Sequence, residues 1–169
     1  KTMRTETTTR TLYSYSELSE EAKQKAIENL WDINIDYDWF DFTEEDARQI
    51  GLNIKEFDID RASFVKGEFI NSAPEVAEAI MQNHGKDCET YKTAKTFLDD
   101  LNALTGQYPN IEDAPEDEME ELEDEFLKSI CEDYRIILTK EYEYLTSEEA
   151  IIETIKANEY EFTEDGKLA

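Results

Sequence analysis

The chain has 169 residues, a hydrophobic content of 39% and a formal net charge of −26 at pH 7. This length and apolar content suffice for a folded core, whereas the charge repels nucleic acid and anionic membranes. The sequence therefore argues against direct nucleic-acid binding and against membrane association, and it favours basic proteins or cations as partners. It contains no apolar run of eighteen residues and no secretory signal pattern, so we expect a cytoplasmic location.

The first fifty residues predict a strand followed by two helices. Residues 4–15 are rich in Thr and Tyr, a composition that predicts a half-exposed β-strand. Ser19 is a suitable N-cap for a helix of about fourteen residues. A second helix is predicted over roughly 37–50, with Gly51 as the residue that ends it.

The middle of the chain predicts a hairpin and two more helices. Two short apolar runs within residues 52–69 are typical of an antiparallel hairpin. Ser72 begins a capping box that opens the next helix. Asp87 is expected to cap the helix after that, and Gly106 to stop it.

One long helix dominates the C-terminal half. Apolar side chains recur every three or four residues between Met119 and Leu145, which predicts a helix over about 115–145. Thr146 is expected to cap a short last helix. Residues 160–168 are expected to form a terminal strand or small hairpin that pairs with the first strand.

Together these elements predict a mostly helical α+β fold. We expect a single domain over residues 1–169, with a small antiparallel sheet and one long acidic helix. The sheet is predicted to combine the N-terminal strand, the central hairpin and the C-terminal segment.

The acidic residues of the long helix have two interpretations. Residues 112–125 hold ten acids and no Lys or Arg, and a second group of six acids without a base lies within 36–46. They form either a solvated surface that aids solubility, or a carboxylate surface that stands where DNA phosphates would and binds a basic protein. The sequence leaves open whether both groups share one face, and it does not indicate the oligomeric state. The candidate partner-binding residues are Asp36, Asp38, Asp41, Glu112, Asp113, Glu116, Asp117, Glu120, Glu121 and Asp124.

Catalytic and metal sites have weak support. Acids and an Asn alternate from Asp32 to Asp38 as in a calcium loop, but Tyr37 and Thr43 occupy the positions that require Gly and Glu. His84 is the single histidine, and its place at the end of a predicted helix suits an interaction with the helix C-terminus. We predict no catalytic residues, no cofactor and no metal ligands. The alternative is a small metal-dependent enzyme, or a divalent-cation-binding protein, that uses clustered carboxylates.

Both ends of the chain resemble a family of small phage and prophage proteins. The resemblance lies in residues 4–15 and in the runs ELSEEAK at 17–23, DYDW at 36–39 and NEYEFTEDGK at 158–167. Some members of that family carry the label of antitoxin in a toxin–antitoxin system. The family has a Gly-rich loop between the hairpin strands, and this chain keeps only residues 62–64 of its trailing edge.

The resemblance implies a protein encoded by a phage or prophage, with Met3 as its natural start, and it supplies no catalytic residues. Combined with the charge, it predicts a non-enzymatic protein that acts in the host cytoplasm. Such a protein would bind and neutralise a basic partner, either a toxin or a nucleic-acid-handling host enzyme.

Overall fold

The computed structural model describes residues 2–169. They divide into two compact units, of which the first comprises residues up to Trp39 and from Glu143 onwards, and the second Phe40–Tyr142. The predicted α+β, mostly helical fold class is confirmed, while the expectation of a single domain stays a prediction. None of the helices in the described part of the chain has the length and apolarity needed to cross a bilayer.

In chain order the elements are β1 (Tyr13–Ser14), α1 (Glu20–Asn29), α2 (Asp41–Gln49), β2 (Leu52–Asp58), β3 (Phe64–Phe69), α3 (Ala73–Asn83), α4 (Glu89–Thr105), α5 (Glu116–Leu145), α6 (Glu148–Ala157) and β4 (Glu161–Phe162). Most neighbouring elements are joined by short turns, whereas longer segments connect α1 to α2 and α4 to α5.

The first unit packs α1 and α6 against the short β1–β4 sheet. Tyr13 lies opposite Phe162 in the antiparallel pair, so the predicted pairing of the two ends is confirmed. The predicted strand over 4–15 is wrong for residues 4–12 and for Tyr15, which begins a 3-10 turn, because β4 offers partners to only two residues of β1. The buried core of this unit consists of Tyr15, Leu18, Ala22, Ala26, Ile27, Ile151, Ile155 and Phe162.

Side-chain caps define where the helices of the first unit begin. Ser19 accepts a 3.1 Å hydrogen bond from the amide of Ala22, as its N-cap role predicts, but α1 ends at Asn29 and is shorter than expected. The cap of α6 is Ser147, whose hydroxyl accepts from the amide of Ala150 at 3.2 Å. The predicted cap, Thr146, lies one residue too early: it fits the capping-box pattern with Glu149, but the neighbouring Ser147, also a favourable N-cap residue, makes the capping bond.

The second unit surrounds one core with four helices and a hairpin. The hairpin pairs β2 with β3 antiparallel, and the chain enters it through Gly51 at a φ of +93°. The predicted hairpin is confirmed, but it forms a sheet separate from β1–β4, so the expected single sheet is two. The buried core of this unit consists of Ala47, Ile50, Leu52, Ala73, Val76, Ala77, Ile80, Ala94, Phe97, Phe126, Ile130 and Tyr134.

Helix starts in the second unit show where local signals failed. The structure begins α2 at Asp41, later than the predicted start near residue 37, and begins α4 after an N-cap at Cys88 and not at Asp87. Ser72 does cap α3, since its hydroxyl accepts from the amide of Glu75. The long helix is confirmed, because α5 is continuous over its thirty residues.

Candidate partner-binding surface

Five of the candidate acids follow one side of the first turns of α5. Successive residues of an α-helix turn by about 100°, so Glu116, Glu120 and Asp124 follow one another on one face, and Asp117 and Glu121 lie beside them within an arc of about 140°. Glu112 and Asp113 precede them in a 3-10 turn. We call residues 112–125 the acidic stretch.

The acidic stretch is dense in charge and free of internal neutralisation. All seven candidate acids within it are exposed. Over residues 2–169, no Lys or Arg nitrogen lies within 4.0 Å of its carboxylates. Its eight helical acids occupy nine steps of 1.5 Å, which is about one charge per 1.7 Å of axis and matches the axial charge density of duplex DNA.

The other three candidates lie outside α5. Asp36 and Asp38 are exposed and belong to the first unit, whereas Asp41 opens α2 in the second. Thr43 on α2 donates a 2.9 Å hydrogen bond to Glu141, seventeen residues beyond Asp124 on α5. That separation corresponds to about 25 Å along the helix, so Asp41 lies far from the acidic stretch.

A partly buried polar network contains Asp46, one of the six acids within residues 36–46. Asp46 accepts a 2.8 Å hydrogen bond from the Tyr134 hydroxyl and a 3.2 Å bond from His84 Nε2. The second ring nitrogen, Nδ1, is hydrogen-bonded to Thr90 Oγ1 at 2.6 Å. The network therefore joins α2, the end of α3, the start of α4 and the middle of α5.

Electrostatics agree with an ionised Asp46 at the centre of this network. The hydrogen bond from His84 is the main cause that lowers the pKa of Asp46, burial opposes it, and the Tyr134 bond lowers the pKa further. Burial, followed by the bond to Asp46, raises the pKa of Tyr134. Because an ionised carboxylate only accepts hydrogen bonds, both partners must donate to it.

The order hydroxyl, imidazole, carboxylate in this network is also that of a nucleophilic catalytic triad. Thr90, however, is only 2% exposed, so its hydroxyl is inaccessible to a substrate. His84 keeps 11% of its side-chain surface. We therefore assign the network to helix packing. Sequence reasoning missed it because the separation of 38 positions between Asp46 and His84 gives no local pattern.

The weak calcium pattern has a structural explanation in the first unit. Asn34 is buried, donates a 2.9 Å hydrogen bond to the carbonyl of Leu145 and accepts a 2.6 Å bond from the Thr154 hydroxyl. Both polar atoms of its amide are thus used to fasten the loop to the end of α5 and to α6. Within residues 2–169, no group of three or more His, Cys, Asp or Glu side chains is arranged to hold a metal ion.

In comparisons with known proteins, no family model, no curated protein and no solved structure matches the chain.

Proposed function

We propose that this chain is an acidic, non-enzymatic protein that binds and neutralises a basic partner protein. In this proposal it is encoded by a phage or prophage, and its partner is a toxin or a host enzyme that handles nucleic acid. The acidic stretch is the contact surface, and the basic groove of the partner accepts it in place of DNA.

The observation that carries the proposal is the axial charge density of the acidic stretch. A regular helix that carries about one carboxylate per 1.7 Å of its axis equals duplex DNA in charge per unit length, so it can attract a groove that binds nucleic acid. The charges are fixed along a helix, so the partner does not have to order a flexible segment on binding. The absence of neutralising Lys or Arg within 4.0 Å of these carboxylates, over residues 2–169, leaves them available to an external cation.

The alternative, a metal-dependent enzyme that uses clustered carboxylates, gains no support from the described residues. Their acids are spread along helix surfaces and do not converge on one point.

The direct test is capture of proteins from host lysate, followed by mass spectrometry, with two matched triple variants. The first variant, Glu116→Gln, Glu120→Gln and Asp124→Asn, removes three charges from the acidic stretch. The second, with Glu56, Glu78 and Glu164 each replaced by Gln, removes three exposed charges elsewhere.

We expect the natural chain and the second variant to capture the same basic protein, and the first variant to lose it. Added duplex DNA should compete with the captured protein. Salt above about 0.5 M should also release it, because the Debye length falls to about 4 Å. Capture of no basic protein, or equal capture by both variants, would contradict the proposal.

A further inference from the structure

A small cleft lies between α4 and α5, on the side of α5 next to the acidic stretch. Its floor is the stacked pair Phe97 and Phe126, whose ring centroids are 4.5 Å apart with an angle of 9° between the planes. The cavity has a volume of about 210 Å³. Pockets for drug-sized ligands run from about 300 to 1,000 Å³, so this one suits a single side chain. We call it the α4–α5 cleft.

The polar groups around the cleft are mostly hydrogen-bond acceptors. Asp100 on α4 and Glu125 on α5 are exposed at its rim, and the hydroxyl-bearing residues Thr93, Thr96 and Ser129 line its walls. Carboxylates only accept hydrogen bonds, and hydroxyls can accept as well as donate. The cleft therefore suits an occupant that carries several donors and a positive charge.

The negative charge at the cleft is not neutralised from within. Its one lining cation, Lys92, is hydrogen-bonded to Glu89 at 3.2 Å. Asp133 lies behind the wall, where its carboxylate accepts a 2.5 Å bond from Thr93. Burial is the main cause that raises the pKa of Asp133, and the neighbouring Glu89 and Glu132 raise it further.

The cleft continues into the acidic stretch. Asp100 and Glu125, at its rim, also line an adjoining depression together with Glu118 and Glu121. Glu121 belongs to the exposed arc of carboxylates on α5. A basic protein attracted to that arc would therefore meet the cleft with its own side chains.

We propose that the α4–α5 cleft binds one arginine side chain of a basic partner protein. This inference rests on the function proposed above and names the residue type that anchors the partner. Arginine fits better than lysine because its planar guanidinium offers five donors in a fixed fork, and it can meet carboxylates and hydroxyls together. Its aliphatic stem would pack on Leu122 and on the aromatic floor.

The binding chemistry can be tested on the isolated chain with small probes. Nα-acetyl-arginine amide, its neutral isostere Nα-acetyl-citrulline amide and Nα-acetyl-lysine amide are titrated while backbone amide signals are followed by NMR. We expect the arginine probe to shift signals of residues 93–100 and 122–129. The citrulline probe should bind at least about tenfold more weakly, because it lacks charge-assisted hydrogen bonds.

Two variants and one control separate the contribution of the cleft's shape from that of its charge. Thr96→Phe fills the cleft at an exposed position and leaves every charge in place, and Asn102→Phe is its control at an exposed position of α4 outside the cleft. Glu125→Gln removes one rim carboxylate without changing shape. We expect Thr96→Phe and Glu125→Gln to reduce arginine binding, and Asn102→Phe to leave it unchanged. Shifts spread evenly over residues 112–125, equal for arginine and lysine and insensitive to Thr96→Phe, would overturn the proposal.

Partner capture distinguishes failure of this proposal from failure of the proposed function. A basic protein lost by the triple variant of the acidic stretch but retained by Thr96→Phe would overturn the arginine anchor and leave the function standing. Loss of the partner with Thr96→Phe and its retention with Asn102→Phe would support the anchor. Sedimentation velocity provides a further outcome: a dimer abolished by Thr96→Phe would place a second copy's arginine in the cleft and overturn the assignment to a partner protein.

Discussion

The Tyr134 hydroxyl donates a 2.8 Å hydrogen bond to Asp46, and this bond links the centre of α5 to α2 across 88 sequence positions. Tyr134 is fully buried, so the bond fixes the orientation of its ring within the core of the second unit. His84 completes the contact from the end of α3. One carboxylate thus ties together three helices that lie apart in the sequence.

We expect Tyr134→Phe to lower the free energy of unfolding by about 1 kcal/mol. A hydrogen bond to a charged group contributes about 1.5–3 kcal/mol, and the value is reduced here because 45% of the Asp46 side-chain surface is exposed. Urea unfolding followed by circular dichroism gives the value. Tyr144→Phe, at an exposed tyrosine that donates a 3.2 Å bond to Glu153, should change the stability by less than about 0.5 kcal/mol. Equal losses in both variants would contradict the assigned role of Asp46.

The stabilisation from Asp46 should depend on pH in the acid range. Its pKa is lower in the folded chain than in the unfolded chain, where an aspartate titrates near about 3.9. Between those two values the unfolded state binds more protons, so stability rises with pH. The contribution is therefore complete above about pH 4 and is lost as the pH falls through the folded pKa. Unfolding measured from pH 2.5 to 7 should show natural chain and Asp46→Asn converging at the acid end. A constant difference would contradict this prediction.

The effect of Asp133 on stability should depend on pH in the opposite direction to that of Asp46. Its pKa is raised in the folded chain, so the folded state binds its proton more tightly and loses stability as the pH rises through the range between the unfolded and folded values. Asp133→Asn keeps an oxygen that can accept from Thr93 and removes the charge. We expect a gain of about 0.5 kcal/mol at pH 7, a small value because the side chain is only half-buried and is screened by solvent. The gain should vanish below about pH 3.5.

Gly166 is expected to tolerate no side chain. It adopts a φ of +85°, and an added Cβ would lie 2.2 Å from the carbonyl oxygen of Ala22. Gly166→Ala should therefore destabilise the first unit by at least about 2 kcal/mol. Gly85→Ala is the control, since the nearest atom to its Cβ would be Cys88 Sγ at an ordinary 3.9 Å. Thermal unfolding of the two variants tests the contrast, and similar melting temperatures would contradict it.

Asn34→Asp separates the structural role of this residue from a calcium ligand. A carboxylate would keep ligand oxygens but could not donate to the carbonyl of Leu145. We expect a loss of about 2 kcal/mol at pH 7, because a buried acceptor loses its donor and a charge is placed beside it. Asn102→Asp, at an exposed helical position, should have little effect. Recovery of the lost stability on addition of calcium would support the calcium loop instead.

Long periodic patterns predicted the fold well where they were strong. The apolar recurrence before Leu145 predicted α5 almost to the residue, and two short apolar runs predicted the hairpin. Start signals failed where two neighbouring residues could each cap a helix, as with Thr146 and Ser147. Most of the strand predicted over residues 4–15 does not form, because only two of its residues have a pairing partner. Amino-acid composition does not indicate whether a partner strand is present.

The candidate partner-binding surface could be predicted only in part, because the sequence shows local patterns and not long-range contacts. Charge counts along the sequence identify the acidic stretch, because consecutive acids on one helix must be near one another. They cannot distinguish Asp46, which is held by His84 and Tyr134, from the exposed Asp41 on the same helix. The sequence did not predict the α4–α5 cleft, because Phe97 and Phe126 lie on two helices whose packing depends on the whole second unit.

The pairing of β1 with β4 has a consequence for synthesis of the chain on the ribosome. Tyr13 emerges from the ribosome early, but it can pair only after its partner, Phe162, has been translated. The second unit, by contrast, is one continuous segment from Phe40 to Tyr142. All of its residues have therefore been translated before Phe162. We therefore expect the middle of a nascent chain to become resistant to protease first. The first forty residues should become protected last.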